Sequence, residues 1–144
     1  MIDLNIHIDT IFRNALLDDK IDYSIKIEGE SKVTTLPDLF EIILNQLIEN
    51  SVIHAFAPED EAKIHLLVQN VNERIILEYR DNGKGVDVDM KGQIFNPFVT
   101  SDPGNEDHTG LGLYRIHNLV TQALNGQIHL LEEPGFALRI EFNL

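Results

Sequence analysis

The 144-residue sequence has no cysteine, which excludes a disulfide framework, a thiolate metal site and a cysteine nucleophile. No apolar run reaches membrane-spanning length and no signal-like leader opens the chain, so a cytoplasmic setting without direct membrane contact is expected. Basic residues are scarce: 11 Lys and Arg stand against 24 Asp and Glu, a formal net charge of −13. With no basic stripe to neutralise phosphates, nucleic-acid binding is not expected. The acidity itself favours solubility. No internal repeat or linker divides the chain. At 43% apolar residues it suits a single domain over residues 1–144 with one core.

Two glycine-rich stretches stand out. Asp81-Asn82-Gly83-Lys84-Gly85 comes after an alternating segment, and Thr109-Gly110-Leu111-Gly112-Leu113 precedes a helical one. Glycine suits backbone that takes unusual torsions or approaches a ligand closely. A glycine turn that opens a helix offers free N–H groups and a positive dipole end to phosphate. A carboxylate at the end of a strand can accept from an amino group. Together the two stretches describe a nucleotide pocket, with adenine at Asp81 and phosphates at Gly110 to Gly112.

Taken in order, residues 3–20 carry a helical pattern of Ile8, Ile11, Phe12, Ala15 and Leu16, capped at Asp9 or Thr10. His7 falls on the surface or at the cap. Tyr23 to Glu28 alternates as a strand, and Gly29 to Ser31 turns. A long helix runs from Pro37 to about Ala55. Its core stripe is Phe40, Ile43, Leu44, Leu47 and Ser51, and its solvent stripe is Glu41, Asn45 and Glu49. Between them Gln46, Asn50 and His54 share a third face at spacing four. Alone such a face reads as surface filler; with glycine boxes downstream it reads as a ligand-facing edge.

Ala62 to Val71 and Arg74 to Arg80 alternate as a hairpin about Asn72-Glu73. Asp81 shares the parity of Ile75, Leu77 and Tyr79, so its carboxylate projects to the buried side and needs partners there. The alternative is a carboxylate satisfied by its own glycine turn. Met90 to Phe95 suggests a short helical turn broken by Asn96-Pro97, with Phe95 and Phe98 anchoring the next loop to the core. Residues 100–108 are polar and turn-rich, a lid candidate over the pocket. Leu111 to Leu124 reads as a helix ended by Asn125-Gly126, and beyond it lie two strands joined at Glu133-Pro134-Gly135. The fold class is α+β: a two-layer sandwich of a mixed, mostly antiparallel sheet with helices on one face.

These residues resemble the ATP-binding catalytic domain of bacterial sensor histidine kinases, a branch of the GHKL superfamily shared with gyrase and the heat-shock chaperones (the Bergerat fold). Asn45 to Ser51 with His54 is similar to the N box, and Asp81 to Val86 to the first glycine box. Ile94 to Phe98 is similar to the F box, and Thr109 to Leu113 to the second glycine box. The boxes stand in the family's order, and the likeness covers nearly the whole chain.

The resemblance implies ATP and Mg²⁺ as ligands. Asp81 would bind the adenine amino group, Asn50 would coordinate Mg²⁺, and Gly83 and Gly85 would shape the adenine turn. Phe98, Thr109, Gly110, Leu111, Gly112 and Leu113 would frame the nucleotide, and His54 would face it. The implied function is γ-phosphoryl transfer to a histidine on the parent kinase's dimerisation helices, and from there to a response-regulator receiver domain. Those helices are absent, so the chain is expected to be a monomeric piece of a longer kinase, whose parent can be a membrane-bound sensor. No acceptor or general base is expected in this chain. Gln46 occupies the place of the hydrolytic Glu of relatives, and a carboxamide has no useful basicity at neutral pH. Ile53 stands where many kinases place Lys or Arg, and His108 where a glycine is common, so weaker ATP binding is expected. The alternatives are a serine kinase of the anti-sigma-factor type and a non-catalytic nucleotide-binding signalling module. A solitary ATP-hydrolysing enzyme comes after both.

Overall fold

A computed structural model describes residues 1–17, 20–36, 38–57, 60–86, 91–96 and 112–144. The chain opens with a two-residue strand, β1 (Ile2–Asp3), and passes directly into helix α1 (Leu4–Ala15). Leu4, Ile8, Ile11 and Phe12 form the buried stripe of α1. The N-cap is Asp3, whose Oδ1 accepts from the Asn5 amide at 2.9 Å. This corrects the expected cap at Asp9 or Thr10. Both lie inside the helix, because β1 ends only at Asp3. Asp9 instead accepts from the Tyr23 hydroxyl at 3.0 Å and pairs with Arg13. His7 is also corrected: it is half-buried and lies edge-on to Phe40, ring centroids 6.4 Å apart.

Strand β2 (Asp22–Gly29) leads to β3 (Lys32–Val33), which pairs antiparallel with β1. Helix α2 (Leu39–His54) is succeeded by the hairpin β4 (Lys63–Val71) and β5 (Arg74–Asp81). Asn72 and Glu73 both take positive φ, 52° and 65°, as a two-residue hairpin turn of the favoured hand requires. Helix α3 (Gly112–Asn118) continues into a π-helical stretch, Leu119–Ala123, before β6 (Gln127–Leu130) and β7 (Ala137–Asn143). The expected uniform helix therefore widens in its second half. The Thr121 hydroxyl donates to the His117 carbonyl, and the Leu124 amide reaches Leu119, five residues back. Asn125, at φ 51°, supplies the left-handed cap.

The main sheet has five strands in the order β2-β4-β5-β7-β6. Only β2 and β4 run parallel; the other neighbours are antiparallel. Ile64, Leu66 and Val68 of β4 and Ile75, Leu77 and Tyr79 of β5 share the inner face, Leu66 opposite Tyr79 and Val68 opposite Leu77, and the helices cover them. Aromatic contacts tie the layers: Phe12 stacks on Tyr23 at 5.2 Å, and Phe40 meets Phe142 at 6.2 Å. The expected sandwich of a mixed, mostly antiparallel sheet and one helical layer is the architecture found.

Candidate functional site

Helix α2 builds one wall of the site. Between Leu39 and His54 it has neither glycine nor proline, and its three stripes separate by exposure. Leu44, Leu47, Ile48 and Ser51 are buried; Glu41, Asn45 and Glu49 are exposed; Gln46, Asn50 and His54 are half-buried. Half-burial is what a face bordering a cleft shows.

Strand β5 delivers the second wall. Asp81 is the last residue of the strand and 4% exposed, on the helix-covered face. Its Oδ1 accepts from the amides of Gly83 at 3.0 Å and Phe136 at 3.1 Å. Its Oδ2 accepts from the Ser51 hydroxyl at 2.8 Å. The glycine turn thus takes part of one oxygen, but does not satisfy the whole group. A carboxylate oxygen has two lone pairs. Among the described residues both on Oδ1 are engaged, and one on Oδ2 is left for a further donor.

The glycine turn is seated on the C-terminal end of α2. A Cβ on Gly83 would come within 2.4 Å of the Ala55 carbonyl oxygen, so no larger residue fits this approach. The same carbonyl accepts from the Lys84 amide at 3.0 Å. Gly85 has φ +76°, where L side chains are strained. Docking of this turn puts Asp81 beside Ser51, one helical turn before Ala55. On the strand itself, Tyr79 is buried, and its hydroxyl lies 2.6 Å from Ser51 Oγ and 3.1 Å from the Leu47 carbonyl. Burial drives the Tyr79 phenol well above its ordinary value; the Ser51 hydrogen bond opposes this and the Asp81 charge adds to it.

Gly112, at the start of α3, rests on α2: a Cβ there would lie 2.5 Å from Gln46 Oε1. Leu113 is half-buried and packs against the core. Of the F box, Ile94 is buried and Phe95 stacks on His117 of α3 at 5.1 Å. Phe98, Thr109, Gly110, Leu111, His108 and the lid candidate of residues 100–108 lie outside the described residues. A cleft of about 120 Å³ opens beside the glycine turn, lined by Lys84, Gly85, Lys91, Leu130, Glu133 and Gly135, among others. It is smaller than the roughly 300 Å³ at which small-molecule pockets begin.

The description "Histidine kinase-, DNA gyrase B-, and HSP90-like ATPase" matches residues 35–144. The chain belongs to that family. The sensor protein KinB of Pseudomonas aeruginosa is 29% identical over 99 residues, covering 69% of this chain and 16% of that protein. The sensor histidine kinase YxdK of Bacillus subtilis is 24% identical over 102 residues, 69% of this chain and 30% of that protein. The chain therefore spans under a third of either relative. Among solved structures, the catalytic domain of histidine kinase ThkA superposes with a TM-score of 0.76 at 21% identity, over 99% of this chain and 92% of that one. The mycobacterial sensor histidine kinase MprB gives 0.75 at 17% identity, over 99% and 96%. These structures share the fold.

Membership of this ATPase family implies nucleotide binding, and the donor set can be tested against the metal such ligands carry. Among the described residues no group of three or more His, Asp or Glu gathers to hold an ion. Asn50 offers one hard, neutral carbonyl oxygen on the α2 face. Mg²⁺ keeps several waters and takes the remaining ligands from phosphates and one or two side chains, so this sparse set fits it. Ser51, Tyr79 and the Phe136 amide were not expected at the site. The available signal was two hydroxyl-bearing residues on otherwise apolar stripes, each needing a partner once buried.

Proposed function

We propose that the chain binds Mg²⁺–ATP with the adenine amino group at Asp81, and transfers the γ-phosphoryl group to a histidine on dimerisation helices of the protein it belongs to. The observation that carries this reading is the buried Asp81 carboxylate, whose neighbours leave one acceptor position on Oδ2. A 6-amino group suits that position, whereas a 6-oxo group brings an acceptor against an acceptor.

Asn50 would hold the metal, which supplies charge neutralisation on the phosphates. Gln46, Asn50 and His54 would line one side of the nucleotide's path, and Gly110 to Gly112, by the likeness of their sequence to the second glycine box, would offer backbone N–H groups to the phosphates. The chain's part is positioning and electrostatic support. A P–N bond forms to the incoming imidazole as the bond from the γ-phosphorus to the bridging oxygen breaks, leaving ADP; the ring proton goes to solvent. The neutral imidazole is already nucleophilic, so Gln46, which is no base, is compatible with a histidine acceptor. The phosphoryl group then passes to a response-regulator aspartate.

The test is calorimetric titration with a nonhydrolysable ATP analogue, with and without Mg²⁺, on the intact chain and on Asp81→Asn. Binding weakened at least about tenfold by Asp81→Asn supports the adenine site, since a charged hydrogen bond is at stake. Equal binding by both proteins rejects it. Labelled transfer from ATP to supplied dimerisation helices then tests the acceptor.

A further inference from the structure

Three oxygen contacts run in a line from the body of α2 to the Asp81 carboxylate. The Leu47 carbonyl lies 3.1 Å from the Tyr79 hydroxyl, which lies 2.6 Å from Ser51 Oγ, which lies 2.8 Å from Asp81 Oδ2. An ionised carboxylate and a carbonyl only accept. Two hydroxyl protons therefore serve three contacts. A 2.6 Å separation between hydroxyl oxygens requires a proton between them. Only two arrangements meet that condition. Either Tyr79 donates to Ser51 and Ser51 to Asp81, or Tyr79 donates to Leu47 and Ser51 to Tyr79. The second leaves Oδ2 of a buried charge without its hydroxyl donor. The first leaves only a second bond to the Leu47 carbonyl unmade, and that carbonyl lies inside helix α2. The first is favoured, because hydrogen bonds to charge are roughly twice as strong as neutral ones.

We infer that Ser51 is a specificity-determining residue of the nucleotide site: its hydroxyl occupies one lone pair of Asp81 Oδ2 and leaves a single acceptor direction. This rests on the reading of Asp81 as the adenine anchor. Three donors, from Ser51, Gly83 and Phe136, hold the carboxylate against rotation. A carboxylate so held accepts one N–H from a 6-aminopurine. It cannot turn to meet the N1–H of a 6-oxopurine, whose O6 faces the remaining lone pair. Without the Ser51 hydroxyl, Oδ2 has two free lone pairs and latitude to move. The 6-oxo base is then tolerated. Ser51 does not touch the base in this scheme; it acts through Asp81. Its place on the core stripe of α2, rather than on the half-buried polar face, is why it acts from behind.

The experiment compares ADP with IDP, which differ only in the 6-amino against the 6-oxo group and its N1 proton. Both are titrated calorimetrically into the whole chain and into Ser51→Ala, Ser51→Thr and Tyr79→Phe. In the intact chain ADP binds more tightly than IDP. In Ser51→Ala the ADP:IDP affinity ratio falls about tenfold, the worth of one oriented hydrogen bond, with IDP no weaker than before. Ser51→Thr keeps a hydroxyl and restores the ratio. Tyr79→Phe leaves the Ser51 proton with Asp81 as its acceptor and keeps the ratio. A Ser51→Ala ratio equal to that of the intact chain overturns the inference. So does an equal loss of both ligands, which marks a structural role. If Ser51→Ala does not fold, a Ser51→Thr protein that folds with a lowered ratio also overturns it. Failure of the intact chain to bind either nucleotide rejects the adenine reading itself, and loss of ADP binding in Asp81→Asn separates the two cases.

Discussion

Tyr79 shows how a single side chain ties stability to the site. Its ring is 1% exposed and meets Phe136 at 6.2 Å, while its hydroxyl sits in the Leu47–Ser51 line. Burial raises its pKa, so the folded chain holds the phenolic proton more tightly than the unfolded chain does. The resulting stability is fully present below the unfolded value and is lost progressively as pH rises above it. Urea midpoints of the intact chain are expected to fall between about pH 8 and about pH 11, straddling the ordinary tyrosine value near 10. In Tyr79→Phe the fall is smaller, though not absent, because burial also raises Tyr23. At neutral pH the same variant loses about 1 kcal/mol with its hydroxyl.

At the scale of elements, the β4–β5 hairpin places Asp81. Its register pairs Ile64 with Asp81 and Val71 with Arg74, so the turn sets which residue ends β5 on the inner face. That turn carries Glu73 at φ 65°, a conformation that costs a residue with a Cβ. The Glu73 backbone carbonyl accepts from Leu144 at 2.8 Å, a bond any residue keeps. Glu73→Gly is therefore expected to stabilise the chain by about 0.5–1 kcal/mol, the strain relieved less the added freedom of the unfolded chain. A thermal midpoint that stays level or drops would count against the turn as a point of strain. Helix α2 is the other placing element. Its C-terminal carbonyl at Ala55 receives the glycine turn, and its Gln46 side chain meets Gly112. One helix thus contacts both glycine boxes.

For the whole molecule the question is how a chain of net charge −13 spends its few arginines. On the sheet face away from the helices, ion pairs run in sequence. Glu133 meets Arg80 at 2.7 Å and Arg80 meets Glu78 at 3.1 Å; Glu78 meets Arg139 at 3.7 Å, Arg139 meets Glu141 at 3.0 Å, and Glu141 meets Arg74 at 2.8 Å. The ladder ties the β6–β7 turn to β5 and β7. The Arg80 hydrogen bond holds the Glu133 carboxyl below the usual carboxylate range. A lowered folded pKa contributes stability above the unfolded value, about 4.3, that is lost as pH falls through the folded value. Glu133→Gln is expected to make acid unfolding less steep between about pH 5 and about pH 3, read from circular dichroism against pH. An unchanged acid limb would mean that this surface pair is too well solvated to matter. No helix among the described residues is long and apolar enough to cross a membrane.

Periodicity made much of this legible in advance. The three stripes of α2 come from spacings of three and four, and the inward aim of Asp81 from counting in twos along β5. These are local properties, carried by neighbours in sequence. The β1–β3 ribbon was not legible, because two residues a side hold no pattern. Nor was the parallel pairing of β2 with β4, which depends on the crossover path through α2. Ser51 reads from spacing as one more core position, and Phe136 as one more apolar residue. Asp81 meets them across 30 and 55 residues of chain. By itself the sequence determined the longer helices and strands, the buried carboxylate and the order of its glycine turns, since each arises from short-range sterics and the period of burial. Which lone pairs of that carboxylate the described residues occupy, and which one they leave open, was decided only by the tertiary structure. A hydrogen bond depends on where two groups stand in space, and the packing of α2 against the sheet is what brings these together.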